Sequence, residues 1–114
     1  MLGGNTNTSS KAPEAGDDSV RAIKAVGDRT RLQILRILLN REECVTDIAH
    51  QLGLAQPRIS HHLTILRNSG LVRDRRNGKQ IFYSVNPDFR VSPDGGPNRN
   101  AIQVDCLRVE FSKS

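Results

Sequence analysis

Apolar residues recur every three or four positions in four segments of the chain, a spacing that is typical of amphipathic helices. The four segments are residues 19–26, 29–40, 46–52 and 57–68. Residues that favour helix N-caps precede or begin the first three. These residues are Asp18 or Ser19, Asp28 and Thr46. Gly53 permits a left-handed turn after the third helix, and Pro57 suits the first turn of the fourth. The pattern therefore predicts four helices.

The period changes to alternation after Gly70, which predicts two strands. Residues 71–76 and 80–85 flank Asn77-Gly78, a pair that favours a type I′ hairpin turn. Tyr83 and Val85 are expected to face the core, with Phe82 on the opposite side. Two helices around a Gly turn followed by a hairpin predict a winged helix-turn-helix, a mainly α fold with a β-hairpin wing (α+β) whose second helix and hairpin fit DNA grooves.

The chain length allows one domain, which we assign to residues 19–86. Residues 1–18 contain few large apolar side chains and are expected to form a disordered tail. Residues 87–114 are expected to form a loop and a C-terminal strand that serve dimerisation or sensing. Apolar residues alternate along 101–111 and reverse phase midway, which predicts a strand with a bulge.

The positive charge of the chain is concentrated in one window. The chain has 17 Lys and Arg against 12 Asp and Glu, a formal net charge of +5. Residues 55–79 contain six basic residues and one acidic residue, Asp74, and therefore hold the whole excess. The basic residues are Arg58, Arg67, Arg73, Arg75, Arg76 and Lys79. This placement suits a surface that neutralises DNA phosphates, and the alternative is a solvated basic hairpin without a partner.

The candidate DNA contacts lie on the fourth helix and on the wing. They point away from the apolar stripe of the helix or flank the hairpin turn. The candidates are Gln56, Arg58, Ser60, His61, Thr64, Arg75, Arg76, Asn77 and Lys79. Gln56 suits adenine, and Arg58 suits guanine or a phosphate. His62 is expected to pack and form hydrogen bonds, and His50 to be exposed.

Residues 27–85 resemble the arsenic-repressor (ArsR/SmtB) family of winged helix-turn-helix transcriptional repressors. The motifs that carry the resemblance are Thr30-Arg31-Leu32, Ile34-Leu35, Ser60 with His62-Leu63, Leu66-Arg67, Gly70-Leu71-Val72, Gly78 and Tyr83. The resemblance implies a homodimer that binds double-stranded DNA at a palindromic operator. It also implies release when an inducer binds, often a thiophilic or divalent metal ion.

The inducer is harder to assign, because the chain departs from the family's metal-binding segment. That segment contains two cysteines that bracket one residue, whereas here Cys44 is followed by Thr46 at the second position. The Pro and Gly residues after Pro87 also exclude a long terminal helix. Cys44 and Cys106 are therefore candidates for thiol sensing of an oxidant, a persulfide or a thiophilic metal ion, and the alternative is two small buried apolar residues. No cofactor is certain.

No nucleophile with a positioned base, Gly-rich phosphate loop or paired carboxylates are evident, so we expect no enzymatic activity. The sequence has no apolar run long enough to span a membrane and no signal peptide, which predicts a cytoplasmic protein. A second hypothesis is a winged-helix protein-interaction module that docks through Phe82 and the apolar C-terminal strand.

Overall fold

The computed structural model describes residues 16–111, and four α-helices form its first half, as predicted. Their bounds are α1, Asp17–Val26; α2, Arg29–Asn40; α3, Val45–Leu52; and α4, Gln56–Asn68. Most of the predicted N-terminal tail lies outside the described residues.

The start of α2 agrees with its predicted cap and the start of α1 does not. The Asp28 side chain accepts a hydrogen bond of 3.0 Å from the Arg31 N–H, which satisfies a backbone donor of the first turn. Helix α1 begins earlier than predicted, with Gly16 at the N-cap and no side-chain cap. Asp18 lies within its first turn, where a negative charge favours the helix dipole.

Strand pairing determines where α3 begins. Cys44, and not Thr46, occupies the N-cap, and it makes no side-chain capping bond to the backbone. The reason is that Glu43 and Cys44 form a short strand, β1, so the chain stays extended up to Cys44. The prediction that Thr46 caps this helix is wrong.

The wing is an antiparallel sheet with the order β1-β3-β2, in which β2 is Val72–Asn77 and β3 is Gln80–Val85. Asn77 pairs with Gln80, so the turn residues are Gly78 and Lys79. Gly78 has φ 64°, and among the described non-glycine residues only Asp105 has a positive φ. A type I′ turn needs a positive φ at both central residues, whereas glycine at the first central position is typical of type II′. The predicted I′ turn at Asn77-Gly78 is therefore wrong.

The C-terminal segment forms a second antiparallel sheet instead of one bulged strand. A 3-10 turn, Pro87–Phe89, leads into strands with the order β4-β5-β6. These strands are β4, Arg90–Val91; β5, Ala101–Val104; and β6, Leu107–Glu110. Val104 pairs with Leu107 across a turn in which Asp105 has φ 55°. These two turn residues, and not a bulge, cause the reversal of phase.

One apolar core joins both sheets to the helices. Fully buried side chains come from α2, α3 and α4 and from the C-terminal sheet. They include Ile34, Leu35, Ile48, Ile59, Leu63, Leu66, Ile102 and Val104. Tyr83 and Val85 of the wing are buried against the same cluster, as predicted. The helices and the wing thus pack on a common core.

Candidate nucleic-acid interface

Helix α4 has one buried and one exposed face. Ile59, Leu63 and Leu66 are each 0% exposed and anchor the helix to the core. All five predicted contacts of the helix lie on its exposed side: Gln56, Arg58, Ser60, His61 and Thr64. Donors and acceptors suited to base edges and phosphates therefore face away from the core.

The turn between α3 and α4 fixes the angle at which α4 is presented. Gly53 has φ 66°, a left-handed conformation that glycine adopts at little cost. The Gly53 N–H donates to the His50 carbonyl, and the Leu54 N–H donates to the Ala49 carbonyl. These two bonds satisfy carbonyl groups that the end of α3 would otherwise leave unpaired.

A polar network connects α4 to the first two helices. His62 is 9% exposed, and its Nδ1 lies 3.2 Å from the Arg31 guanidinium and 3.9 Å from the Asp28 carboxylate. Arg31 also donates a 2.6 Å bond to the Ala25 carbonyl at the end of α1. The predicted packing and hydrogen bonding of His62 is thus observed, whereas the part played by Arg31 had no signal in the helical pattern.

Burial and hydrogen bonding shift two pKa values in this network. Desolvation lowers the pKa of His62, and the nearby Asp28 carboxylate opposes the shift. The bond from the Arg31 N–H lowers the pKa of Asp28. The positive charge of Arg31 also lowers the pKa of His62.

One face of the wing is turned toward α4. Arg67 of α4 forms a 3.1 Å ion pair with Asp74 of β2. Arg76 lies on the same face as Asp74, since alternate residues of a strand share a face. Arg76, Asn77 and Lys79, the predicted contacts near the tip, are exposed.

Arg75 lies on the opposite face of the wing and has partners within the chain. Its guanidinium donates to both carboxylate oxygens of Glu42, at 3.1 and 2.7 Å. It also lies 5.2 Å from the centre of the Phe82 ring. These bonds lower the pKa of Glu42. Phe82, the docking residue of the alternative protein-interaction hypothesis, is therefore partly covered by Arg75.

Cys44 lies beside a cavity that is also lined by α4 and the wing. Its thiol is buried and donates to the Asp47 carboxylate at 3.4 Å. A cavity of about 300 Å³ adjoins it, lined also by Ser60 of α4, by Lys79 in the wing turn and by Tyr83. A group added to Cys44 would therefore enter a space that both the helix and the wing border.

The second candidate thiol lies elsewhere. Cys106 is exposed in the turn between β5 and β6, whereas Cys44 belongs to the wing sheet, and both are free. Among residues 16–111, no three His, Cys, Asp or Glu side chains come together in a group that would hold a metal ion. Within the described part of one chain, a thiophilic metal site of the family's kind is therefore not supported. No helix in the same range is long and apolar enough to cross a membrane.

Comparison with known proteins points to one family. A model described as bacterial regulatory protein, arsR family, matches residues 28–74. The chain is 42% identical over 76 residues to an HTH-type transcriptional regulator of Methanocaldococcus jannaschii. The matched region covers 66% of this chain and 85% of that protein. It is 38% identical over 94 residues to an arsenic resistance transcriptional regulator of Pseudomonas putida, which covers 76% and 73% of the two chains. The arsenical resistance operon repressor of Escherichia coli is 42% identical over 69 residues, and the chain spans 59% of its length.

Solved structures agree with the sequence relatives. HlyU from Vibrio cholerae is 35% identical with a TM-score of 0.57, and the match covers 68% of this chain and 79% of that one. A homodimeric winged helix-turn-helix DNA-binding domain from Mycobacterium bovis is 32% identical with a TM-score of 0.61, with the same coverage. The four helices and the wing thus have counterparts in DNA-binding regulators, which are not enzymes. The chain belongs to the arsR family of winged helix-turn-helix transcriptional regulators.

Proposed function

We propose that this regulator is a homodimeric repressor that inserts α4 into the major groove at each half of a palindromic operator. The observation that carries the proposal is the exposed polar face of α4, held by a buried apolar stripe next to a basic wing. Two recognition helices about one DNA turn apart would bind two half-sites of an inverted repeat. The homodimeric relative from Mycobacterium bovis supports this assembly.

The proposed contacts divide into two kinds. Gln56, Arg58, Ser60, His61 and Thr64 form the face that would read base edges and adjacent phosphates. Arg76, Asn77 and Lys79 form the wing tip, which would contact the flanking backbone or minor groove. Arg75 would contribute only after it leaves Glu42, because its guanidinium is engaged in two hydrogen bonds.

Selection of bound duplexes from a random pool tests the operator. We expect an inverted repeat whose half-sites lie about 10 base pairs apart, with binding that weakens steeply as salt rises. Enrichment of a single half-site without symmetry would contradict the homodimeric arrangement. A protein-interaction module would instead elute from immobilised heparin and immobilised duplex DNA at low salt.

We infer that a thiol-directed inducer, an oxidant or a persulfide, releases the operator by modifying Cys44. The thiol would take one oxygen atom from a peroxide, which leaves as water, or the outer sulfur of a persulfide, whose remaining thiol is released. The supporting observation is the cavity that connects this thiol to Ser60 and Lys79. A group added to the Cys44 sulfur would occupy this cavity. Release requires that the modified chain be more stable in a dimer whose helix and wing have moved than in the DNA-binding dimer. The solved relatives include HlyU from Vibrio cholerae in a reduced form, which is 38% identical to this chain.

Operator release is measured after exposure to an oxidant, a persulfide, arsenite and zinc in turn, with Cys44→Ser and Cys106→Ser as matched variants. We expect oxidant and persulfide to release the wild type and the Cys106→Ser variant but not the Cys44→Ser variant. Loss of the response only in Cys106→Ser would transfer the sensing role to the exposed thiol. An unchanged response in both variants would refute thiol sensing without affecting the proposal on DNA binding.

A further inference from the structure

Strand β6 forms an outer edge of the C-terminal sheet and, within residues 16–111, pairs only with β5. Val104 and Leu107 close the two-residue turn as partners. Because hydrogen-bonding direction alternates along an antiparallel strand, the backbone groups of Leu107 and Val109 face β5. Those of Arg108 and Glu110 therefore face outward, where no other strand of the described chain pairs with them.

The side chains of β6 are divided between its two faces. Leu107, Val109 and Phe111 are partly buried and pack against the core cluster. Arg108 and Glu110 are exposed on the other face and lie 3.9 Å apart at their closest charged atoms. The edge thus presents an apolar row, and on the opposite face one cation and one anion two positions apart.

We propose that β6 pairs antiparallel with β6 of a second copy of this chain, about a two-fold axis at Val109. In this register Arg108 lies opposite Glu110 of the second copy, and Glu110 lies opposite its Arg108. Each such pair joins outward-facing backbone groups and oppositely charged side chains, both of which stabilise an antiparallel ladder. On the other face, Val109 meets its own counterpart and Leu107 meets Phe111 of the second copy.

The neighbouring registers are much less favourable. Hydrogen bonds between the two β6 strands can form only between residues whose backbone groups face outward on both strands. The allowed registers are therefore shifted from one another by two residues. An axis at Arg108 places two guanidinium groups opposite each other, and an axis at Glu110 does the same with two carboxylates. Like charges in directly opposed positions destabilise a sheet, so the sequence selects the axis at Val109.

A groove beside the strand adds a second contact surface. It has a volume of about 460 Å³ and is lined by the first half of α2 and by the end of β6. Gly27, Leu32, Val109 and Phe111 are among its lining residues. Since Phe111 would lie opposite Leu107 of the second copy, that leucine would be placed against this groove. By the two-fold symmetry, Leu107 of the first copy would be placed against the groove of the second copy in the same way.

This interface deepens the proposed function, because it specifies how the homodimer would be built in a chain whose C-terminal segment is a sheet. The six strands of two C-terminal sheets would form one continuous sheet across the dimer. Self-association is measured without DNA, so that the two proposals fail separately. A dimer that does not bind DNA would refute the proposed operator binding, and a DNA-binding chain that dimerises through another surface would refute this interface.

Charge reversal tests the register. Arg108→Glu and Glu110→Arg each place like charges in both opposed pairs, and we expect roughly tenfold or greater weakening of the dimer in sedimentation equilibrium. The double variant restores both pairs and should regain wild-type association. An equimolar mixture of the two single variants should form heterodimers, because every opposed pair is then complementary. Arg21→Glu, on the exposed part of α1, serves as the control for total charge.

Cross-linking tests the axis. In a Cys44→Ser, Cys106→Ser chain, Val109→Cys places two thiols at a pair whose Cα atoms are about 4.5 Å apart, within the range of a disulfide. We expect mild oxidation with diamide to yield a covalent dimer, and Gln103→Cys on β5, one strand further in, to stay monomeric on a non-reducing gel. Wild-type dimer mass in both charge-reversal variants, or equal cross-linking at the two positions, would overturn the proposal. A monomeric wild type at micromolar concentration would do so as well.

Discussion

Glu42 and Arg75, separated by 33 positions in the sequence, are joined by hydrogen bonds of 3.1 and 2.7 Å between the carboxylate and the guanidinium. The pair connects the segment before β1 to the outer face of the wing. Arg75, one of the predicted DNA-contacting residues, is thereby bound to an acidic side chain. The strength of DNA binding should therefore depend on a residue that does not itself contact DNA.

Glu42→Gln should strengthen DNA binding. The substitution keeps the shape of the side chain but removes the charge that holds Arg75, which becomes available to a phosphate. We expect a several-fold gain in affinity and a steeper salt dependence, with one further counterion released per chain. Fluorescence anisotropy across a salt series measures both effects. Asp18→Asn removes the same charge from α1 and serves as the control, and equal effects of the two variants would contradict a contribution from Arg75.

Arg58→Ala should lower specific binding more than non-specific binding. A base-reading arginine contributes about 1–3 kcal/mol of discrimination, which is lost on truncation. The comparison is made between the selected operator and a scrambled duplex at the same salt concentration. An equal loss on both duplexes would assign Arg58 to the phosphate backbone.

Arg76→Ala and Lys79→Ala should weaken binding to both duplexes by similar factors. These side chains lie at the exposed tip of the wing, where phosphates are the expected partners. Each loss should reduce the slope of log affinity against log salt by about one. Arg21→Ala on α1 is the matched control, and a slope that does not differ from it would exclude a phosphate contact.

Leu63→Ala should destabilise the fold, since this side chain is 0% exposed at the centre of the buried face of α4. We expect a loss of about 2–5 kcal/mol in the free energy of unfolding, measured by urea denaturation. Thr64→Ala, one position along, removes an exposed side chain whose hydroxyl donates to the Ser60 carbonyl. Its effect should stay within about 0.5 kcal/mol. Similar losses for the two variants would contradict the assignment of the faces.

Stability should fall as the pH drops below neutrality, because of His62. Burial lowers its pKa in the folded state below the ordinary value of 6.5, so the unfolded chain binds the proton more readily. The contribution is fully present above pH 6.5 and is lost as the pH falls from there through the folded-state pKa. The expected slope is at most about 1.4 kcal/mol per pH unit.

Urea denaturation of wild type and His62→Gln between pH 7.5 and roughly 5 measures this effect, and the variant should lose the corresponding slope. His50→Gln, on the exposed side of α3, is the control. The lowered pKa values of Asp28 and Glu42 also favour the folded state, but those contributions are lost only in more acidic solution. Identical slopes for wild type and His62→Gln would refute the prediction.

The helices and the wing were predictable because their patterns are local. The buried stripe of Ile59, Leu63 and Leu66 follows directly from helical spacing, and the exposed face of α4 follows from the stripe. The Asp28 cap also needs only residues three positions apart. These features require no knowledge of which distant segments meet.

Two of the incorrect predictions involve a distant or an ambiguous contact. Thr46 is a good capping residue, but pairing of Glu43 with Tyr83 keeps the chain extended through Cys44. The reversal of phase near Asp105 fits a bulge or a two-residue turn equally well, because the turn has no glycine. The Glu42–Arg75 pair depends on the order of strands in the wing, which an alternating pattern does not specify.

The first turn of α2 supports two parts of the molecule at once. Asp28 and Arg31 hold His62 of α4, while Gly27, Asp28 and Leu32 line the groove beside β6. A one-residue insertion in this turn would rotate the following helical positions by about 100° and would disturb both contacts together. A change in this turn would therefore alter the orientation of α4 and the shape of the groove beside β6 at the same time.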